Sequence, residues 1–277
     1  MAVRASRLSA PSAVHPRPLS ATAKSSTPLS VTARSRVRPT AAKNGPSGRP
    51  RKRAERPHPQ CYGGIVTSTQ EVRHPVFARF YKRFSVQAEA RGQSEHRREL
   101  MRGAEGRVIE VGAGNGLNFA HYPEAVTEVV AVEPESTLRA EALRAAERAT
   151  AQIRVVDGVA DSLPGEDRSF DVGVASLVLC SVPDPGTALS ELFRVIRPGG
   201  ELRFYEHVVA SRPDAARLMR IGDTLWPRVS GGCHMSRDTG WGIERAGFEI
   251  ESCGRFPFSP SKLMPAVPHV LGVARRP

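Results

Sequence analysis

The stretch "VIEVGAGNG", Val108 to Gly116, sets three glycines in five positions directly behind a short apolar run. No other segment limits the fold as strongly. Glycine loses more backbone freedom on folding than any other residue, so this density marks a chain that must turn tightly or let a ligand approach its main chain. "RVIEV" reads as a strand, and the turn leads into a short helix.

The same alternation continues downstream. "TEVVAVE" reads as a second strand, "STLRAEALRAAERATA" as a helix with Ser136 as its N-cap, and "IRVVDG" as a third strand. A loop with room for one helical turn, "VADSLPGEDRS", leads to "FDVGVASLVL", which is apolar nearly throughout, as a central parallel strand covered on both faces must be. "GTALSELFRVI" follows as a helix stopped by the glycines of "RPGG", and "ELRFYEHVV" is a fifth strand. Further on, "PDAARLMRIGDTLW" looks helical, while "GFEIESCGRF" and "HVLGVARR" look like two more strands. Upstream, Val76, Phe77, Phe80, Tyr81 and Phe84 recur at helical spacing, so one or two amphipathic helices precede the first strand. The expected class is α/β, with a doubly wound, mostly parallel seven-stranded sheet of the Rossmann-like kind over residues 71–277.

The formal charge of +12 suggests nucleic acid until it is located. Residues 1–60 hold 13 Lys and Arg against one acid, Glu55, whereas residues 61–277 hold 27 of each sign. The excess therefore lies in a Ser, Ala, Pro and Arg-rich segment with no apolar periodicity, and residues 1–70 are expected to be a disordered basic tail. No stretch reaches the roughly 18 apolar residues of a bilayer span, and no secretory core is present, so a cytoplasmic location is the default, with peripheral membrane contact left open. Cys61, Cys180, Cys233 and Cys253 are scattered without a C-x-x-C pair, giving neither a zinc signature nor a disulfide framework, and no metal is expected.

The ligand on the glycines follows from what is missing. A dinucleotide fingerprint needs a third glycine at 117, where Leu117 stands, and no Gly-Lys-Ser/Thr follows to make a phosphate loop. Glu110, two residues before Gly112, would repel a pyrophosphate and welcome an ammonium or sulfonium group. Glu133 ends the second strand, where a carboxylate can accept from both hydroxyls of a ribose, and Asp161, after Ala160, is placed to meet an adenine edge. These features suit S-adenosylmethionine, which carries no phosphate.

"VIEVGAGNG", "VAVEPE", "VADSLP", "SFDVGVASLVLCSVPDP" and "FRVIRPGGELRFYEHV" resemble, in order and spacing, the successive motifs of class I S-adenosylmethionine-dependent methyltransferases. The likeness spans roughly residues 74–277. Within that superfamily, "LVLCSV", "RVIRPGG", "YEHV" and "DTLWPRVSGGCHMSRDTGWGIERAGF" look most like the methyltransferase-like group that includes the animal thiol methyltransferases and bacterial relatives labelled as lipid-headgroup or quinone methyltransferases. Asn115 departs from the Ser or Thr common in the glycine loop, and the hydrophobic N-terminal anchor of the animal proteins has no counterpart. The resemblance implies that Glu110, Gly112, Gly114 and Gly116 hold the methionine end, that Glu133 holds the ribose, that Ala160 and Asp161 hold the adenine, and that Ser176 and Leu177 close over the cofactor.

Methyl transfer from a sulfonium needs alignment and exclusion of water more than it needs a base. Where a thiol, phenol or ammonium acceptor must lose a proton, Glu206 and His207 at the end of the fifth strand are the first candidates and His234, in "GGCHMSRDTG", the next. Cys233 beside it reads as a packing cysteine. Phe77, Phe80, Tyr81 and Trp226 line an acceptor pocket or, at helical spacing, pack in the core. The expected function is methyl transfer to a small-molecule or lipid-like acceptor: a thiol, phenol, amine or headgroup. The competing readings are an RNA or protein methyltransferase using the basic tail, a cofactor- or nucleic-acid-binding protein without turnover, and an NAD-dependent oxidoreductase. The neutral folded part argues against an obligatory nucleic acid, and Leu117 argues against NAD.

Overall fold

The computed structural model describes residues 75–262 and 264–277. The expected tail over 1–70 lies outside them, as do the side chains of Phe77 and Phe80.

Seven strands form one sheet in the order β3-β2-β1-β4-β5-β7-β6. They are β1 (Gly106–Val111), β2 (Val126–Val132), β3 (Ile153–Val156), β4 (Phe170–Ser176), β5 (Ile196–His207), β6 (Glu249–Phe258) and β7 (Val267–Arg275). The first five are parallel, β7 runs antiparallel to β5, and β6 runs antiparallel to β7, so the sheet is mixed. The order reverses between β1 and β4, so their carboxyl ends form the switch point at which open α/β sheets bind ligands.

The helices are α1 (Pro75–Ala88), α2 (Ser94–Met101), α3 (Ser136–Ala146), α4 (Pro185–Val195), α5 (Pro213–Gly222), α6 (Trp226–Val229) and α7 (Thr239–Arg245). Strand residues alternate between the faces. Val108, Val129, Val172, Val174 and Tyr205 pack with Leu100 and Met101 of α2 and Ala142 of α3. Ile109, Val111, Val130, Val132 and Ala175 pack on the other face with Leu189 and Leu192 of α4 and Ile243 of α7. Apolar burial on both faces explains why β4 reads as unbroken hydrophobicity.

Three local expectations are corrected. Ser136 is the first residue of α3, and the N-cap is Glu135, whose carboxylate accepts from the Leu138 N–H at 2.7 Å. "RPGG" does not cap α4: the helix ends at Val195 and these residues form an irregularity inside β5, where the register against β4 slips between the Phe170 and Val172 pairings. The strand expected to run to Leu179 stops at Ser176, and Leu177 takes a positive φ of 57° that ends the ladder.

Candidate active site

The glycine turn leaves β1 with φ of +66°, +58° and +78° at Gly112, Gly114 and Gly116. Side chains there would be strained by the backbone alone. Space forbids them at two of the three: a Cβ on Gly112 would lie 2.3 Å from Val178 Cγ2, and one on Gly116 would lie 2.8 Å from Ala145 Cβ and from Phe119 Cε2. At Gly114 it would meet the Tyr81 ring of α1 at an ordinary 3.6 Å, so only conformation requires glycine there. The Gly114 N–H donates to Glu133 Oε2 at 2.8 Å, while Glu133 Oε1 accepts from the Glu135 N–H at 2.9 Å. Burial pushes the Glu133 carboxyl up to about 7, against the pull of those two N–H bonds.

Glu110, near the end of β1, lies beneath the glycine turn. Only 1% exposed, it accepts from Asn118 Nδ2 and from the Tyr122 hydroxyl, both at 2.7 Å. Desolvation raises its carboxyl, and the Tyr122 and Asn118 bonds and Arg97 oppose the rise. Arg97 of α2, 4% exposed, donates to Asn118 Oδ1 at 2.7 Å, to Ser176 Oγ at 3.2 Å and to Glu89 at 2.8 Å. This Arg97–Asn118–Glu110–Tyr122 chain lies beneath the glycine turn. Sequence reasoning missed it, because Arg97 sits in the highly charged "SEHRRELM", which looks like a solvated helix.

Ser176 ends β4 and Leu177 follows it, and Ser176 Oγ faces Arg97. Leu177 donates its N–H to the Tyr205 carbonyl at 2.7 Å. A non-glycine residue held at positive φ is the kind of strain that persists where surrounding structure imposes it. Ala160 and Asp161 form the tip of a tight turn closed by the Val159–Ser162 bridge, with Asp161 exposed. Thus the glycine turn, Glu133, this tip and Ser176–Leu177 share the carboxyl edge of four adjacent strands.

On the acceptor side, two of three expected bases are already occupied. Glu206 is fully buried, and its carboxylate accepts from the N–H groups of Val178, Leu179 and Cys180 at 2.9, 2.8 and 3.2 Å. It anchors the loop after β4 instead of facing a substrate, and desolvation lifts it to about 7 despite those bonds. His234 turns its Nδ1 to the Gly232 carbonyl at 2.8 Å, and its main-chain N–H donates to the Cys180 carbonyl at 2.7 Å. His207 is partly buried, with Nδ1 3.3 Å from Cys233 Sγ, and Cys233 Sγ lies 3.6 Å from Cys180 Sγ. The "packing cysteine" is therefore one corner of a Cys180–His207–Cys233 cluster, with Trp226 also bonded to Cys233. Hydrogen bonds from Cys180 and His207 hold the Cys233 thiol well below its ordinary range, and Cys180 is pushed up in turn. No spacing rule could reveal this cluster, since 53 residues separate the two cysteines.

The sequence model of the family described as "Methyltransferase domain" matches residues 109–204. Over 216 residues the chain is 33% identical to thiol S-methyltransferase TMT1B of Mus musculus, an alignment covering 72% of this chain and 87% of that one. Among solved structures, a SAM-dependent methyltransferase from Thermotoga maritima matches with a TM-score of 0.55 at 23% identity, over 73% of this chain and 99% of that one. The [4+2]-cyclase SpnF matches with a TM-score of 0.53 at 21% identity, over 68% and 81%. The two solved structures establish the fold alone, since one frame serves a methyltransferase and a cyclase.

Proposed function

The chain belongs to the class I S-adenosylmethionine-dependent methyltransferases, in the thiol methyltransferase-related group, and on that premise we propose that it methylates an apolar thiol at the ends of β4 and β5. As a member of this group it is an enzyme that transfers a methyl group to a small-molecule or lipid-like acceptor.

One observation carries the cofactor assignment: the Gly114 N–H and the buried Glu133 carboxylate, 2.8 Å apart, frame the mouth of a turn from which Cβ atoms are barred at Gly112 and Gly116. The residues fit S-adenosylmethionine. Gly112, Gly114 and Gly116 would present main chain to its methionine end, Glu133 would accept from its ribose hydroxyls, and Ala160–Asp161 would border the adenine. When bound, S-adenosylmethionine supplies an electrophilic methyl group on a sulfonium sulfur. Glu110, engaged with Asn118 and Tyr122, contributes through the field of its charge and by fixing the turn.

The thiol reading is supported by the likeness to TMT1B over 87% of that protein's length. Its apolar character is supported by Leu218, Ile221, Leu225 and Val229, large side chains exposed along α5, α6 and the turn between them. Asp223, at the end of α5, accepts from the N–H groups of Met235 and Ser236 at 2.8 and 2.9 Å and so ties these helices to the loop that carries Cys233. An apolar patch beside a reaction site favours hydrophobic substrates and contact with a membrane surface. No helix among the described residues is long and apolar enough to cross a membrane.

The test is calorimetric binding of S-adenosylmethionine and NAD to the full chain and to Glu133→Ala, followed by methyl transfer to an alkyl thiol, a phenol and an aminophospholipid in vesicles. Binding of S-adenosylmethionine alone, lost in the variant, with turnover of the thiol, is expected. Binding of NAD alone, or of neither, overturns the cofactor assignment, and turnover of the phenol or amine with the thiol silent overturns the acceptor.

A further inference from the structure

The Cys180, Cys233 and His207 side chains meet with donor atoms all within 4.8 Å of one another, and among the described residues no fourth His, Cys, Asp or Glu completes the set. Two separations fit one soft cation. Tetrahedral zinc, with bonds of about 2.3 Å to sulfur and about 2.0 Å to nitrogen, places sulfur pairs about 3.7 Å apart and sulfur–nitrogen pairs about 3.5 Å apart. Cys180 Sγ and Cys233 Sγ are 3.6 Å apart, and Cys233 Sγ and His207 Nδ1 are 3.3 Å apart.

The corner is built as well as spaced. Cys180 ends the loop that Glu206 grips through the N–H groups of Val178, Leu179 and Cys180 itself, and His207 is the next residue after Glu206 on β5. Cys233 is held against Cys180 from three sides. The His234 N–H donates to the Cys180 carbonyl at 2.7 Å, Arg237 donates to the Leu179 and Val182 carbonyls at 2.5 and 2.8 Å, and Gly232 approaches so closely that a Cβ would lie 2.8 Å from the Ser181 carbonyl oxygen. Two thiolates and one neutral imidazole would balance a divalent charge, which suits a buried site.

We propose that Cys180, Cys233 and His207 bind one zinc-type divalent cation, whose fourth coordination position takes the acceptor thiol. Three protein ligands with an open position are the pattern of catalytic rather than structural zinc, and a Cys2His set selects zinc among common divalent ions. This rests on the methyltransferase reading above and supplies what Glu206 and His234 do not, a route for the acceptor proton. On coordination the thiol gives its proton to solvent. Its sulfur lone pair then forms the new carbon–sulfur bond to the methyl group, and the sulfonium–methyl bond breaks with its electron pair returning to the cofactor sulfur.

The test uses the full chain, reduced with a phosphine and kept anaerobic, titrated with Co(II) as a spectroscopic stand-in for zinc. Expected are one cobalt per chain, visible ligand-field bands of a tetrahedral site, and thiolate-to-cobalt charge transfer. These are lost in Cys180→Ser, Cys233→Ser and His207→Gln and retained in Cys253→Ser, which alters an exposed strand residue. Added 2-mercaptoethanol shifts the bands in the expected case; unchanged bands overturn the acceptor role. Absence of thiolate bands in the native chain, or their survival in both cysteine variants, overturns the metal site. S-adenosylmethionine calorimetry on the same samples separates the two ideas. Intact binding without metal uptake removes only the metal, and metal uptake without cofactor binding removes the methyltransferase reading. Because a serine variant could fail to fold, retained cofactor binding in His207→Gln serves as the folded control.

Discussion

Glu133 Oε2 accepts the Gly114 N–H at 2.8 Å, so the acid at the end of β2 and the middle glycine of the turn are locked together. Hydroxyl donors from a ribose favour the carboxylate, whereas burial raises it to about 7. Below pH 7, binding must expel a proton. S-adenosylmethionine affinity is therefore expected to be flat above pH 7 and to fall by about tenfold per pH unit below it, with proton uptake into buffer seen by calorimetry in buffers of different ionisation enthalpy. Affinity that is flat from pH 8 to pH 6 would remove Glu133 from the site.

The glycines separate conformation from space. Gly114→Ala is expected to fold with a loss of about 1–2 kcal/mol from the left-handed backbone alone. Gly116→Ala adds a Cβ 2.8 Å from Ala145 and Phe119, and should cost about 1–3 kcal/mol more. Urea unfolding of the two variants checks the order, and equal losses would contradict it.

Arg97→Ala is expected to destabilise the fold by about 3–5 kcal/mol, because it strips a buried network of the guanidinium that bonds Glu89, Asn118 and Ser176. An exposed helix arginine, which is what the sequence suggests, would change stability by less than about 0.5 kcal/mol. Denaturant midpoints at neutral pH distinguish the two.

Glu206→Gln puts an amide NH2 where the Cys180 N–H now donates, and is expected to cost about 1–3 kcal/mol with a lowered Tm. Since desolvation lifts Glu206 to about 7, the folded chain keeps this proton longer than the unfolded chain does. Stability therefore declines as pH rises from the ordinary carboxylate range to about 7, and the variant should lose that part of the slope. An unchanged Tm with abolished turnover would instead restore Glu206 as a base.

Much of the architecture was legible because its causes are local. Seven strands, the glycine turn and the acid after β2 all follow from short-range rules: alternation, apolar runs and backbone conformations that only glycine tolerates. Where a rule depended on a neighbouring strand, it failed. "RPGG" has the composition of a helix stop, yet the register of β5 against β4 absorbs it. Glu206 and His207 were legible as polar residues at a strand end, but alternation sends one into the loop after β4 and the other toward Cys233.

By itself, the sequence determined a doubly wound α/β sheet with its glycine turn at the switch point, since periodicity and glycine conformation are encoded within a few residues. Only the tertiary structure decided which polar groups are spent and which remain. It placed Arg97 beneath the turn, bonded Glu110 to Asn118 and Tyr122, and brought Cys180 and Cys233 to 3.6 Å across 53 residues. Such partnerships come from the parallel stacking of β1, β4 and β5, whose ends converge in space from distant stretches of chain, and no local pattern records that convergence.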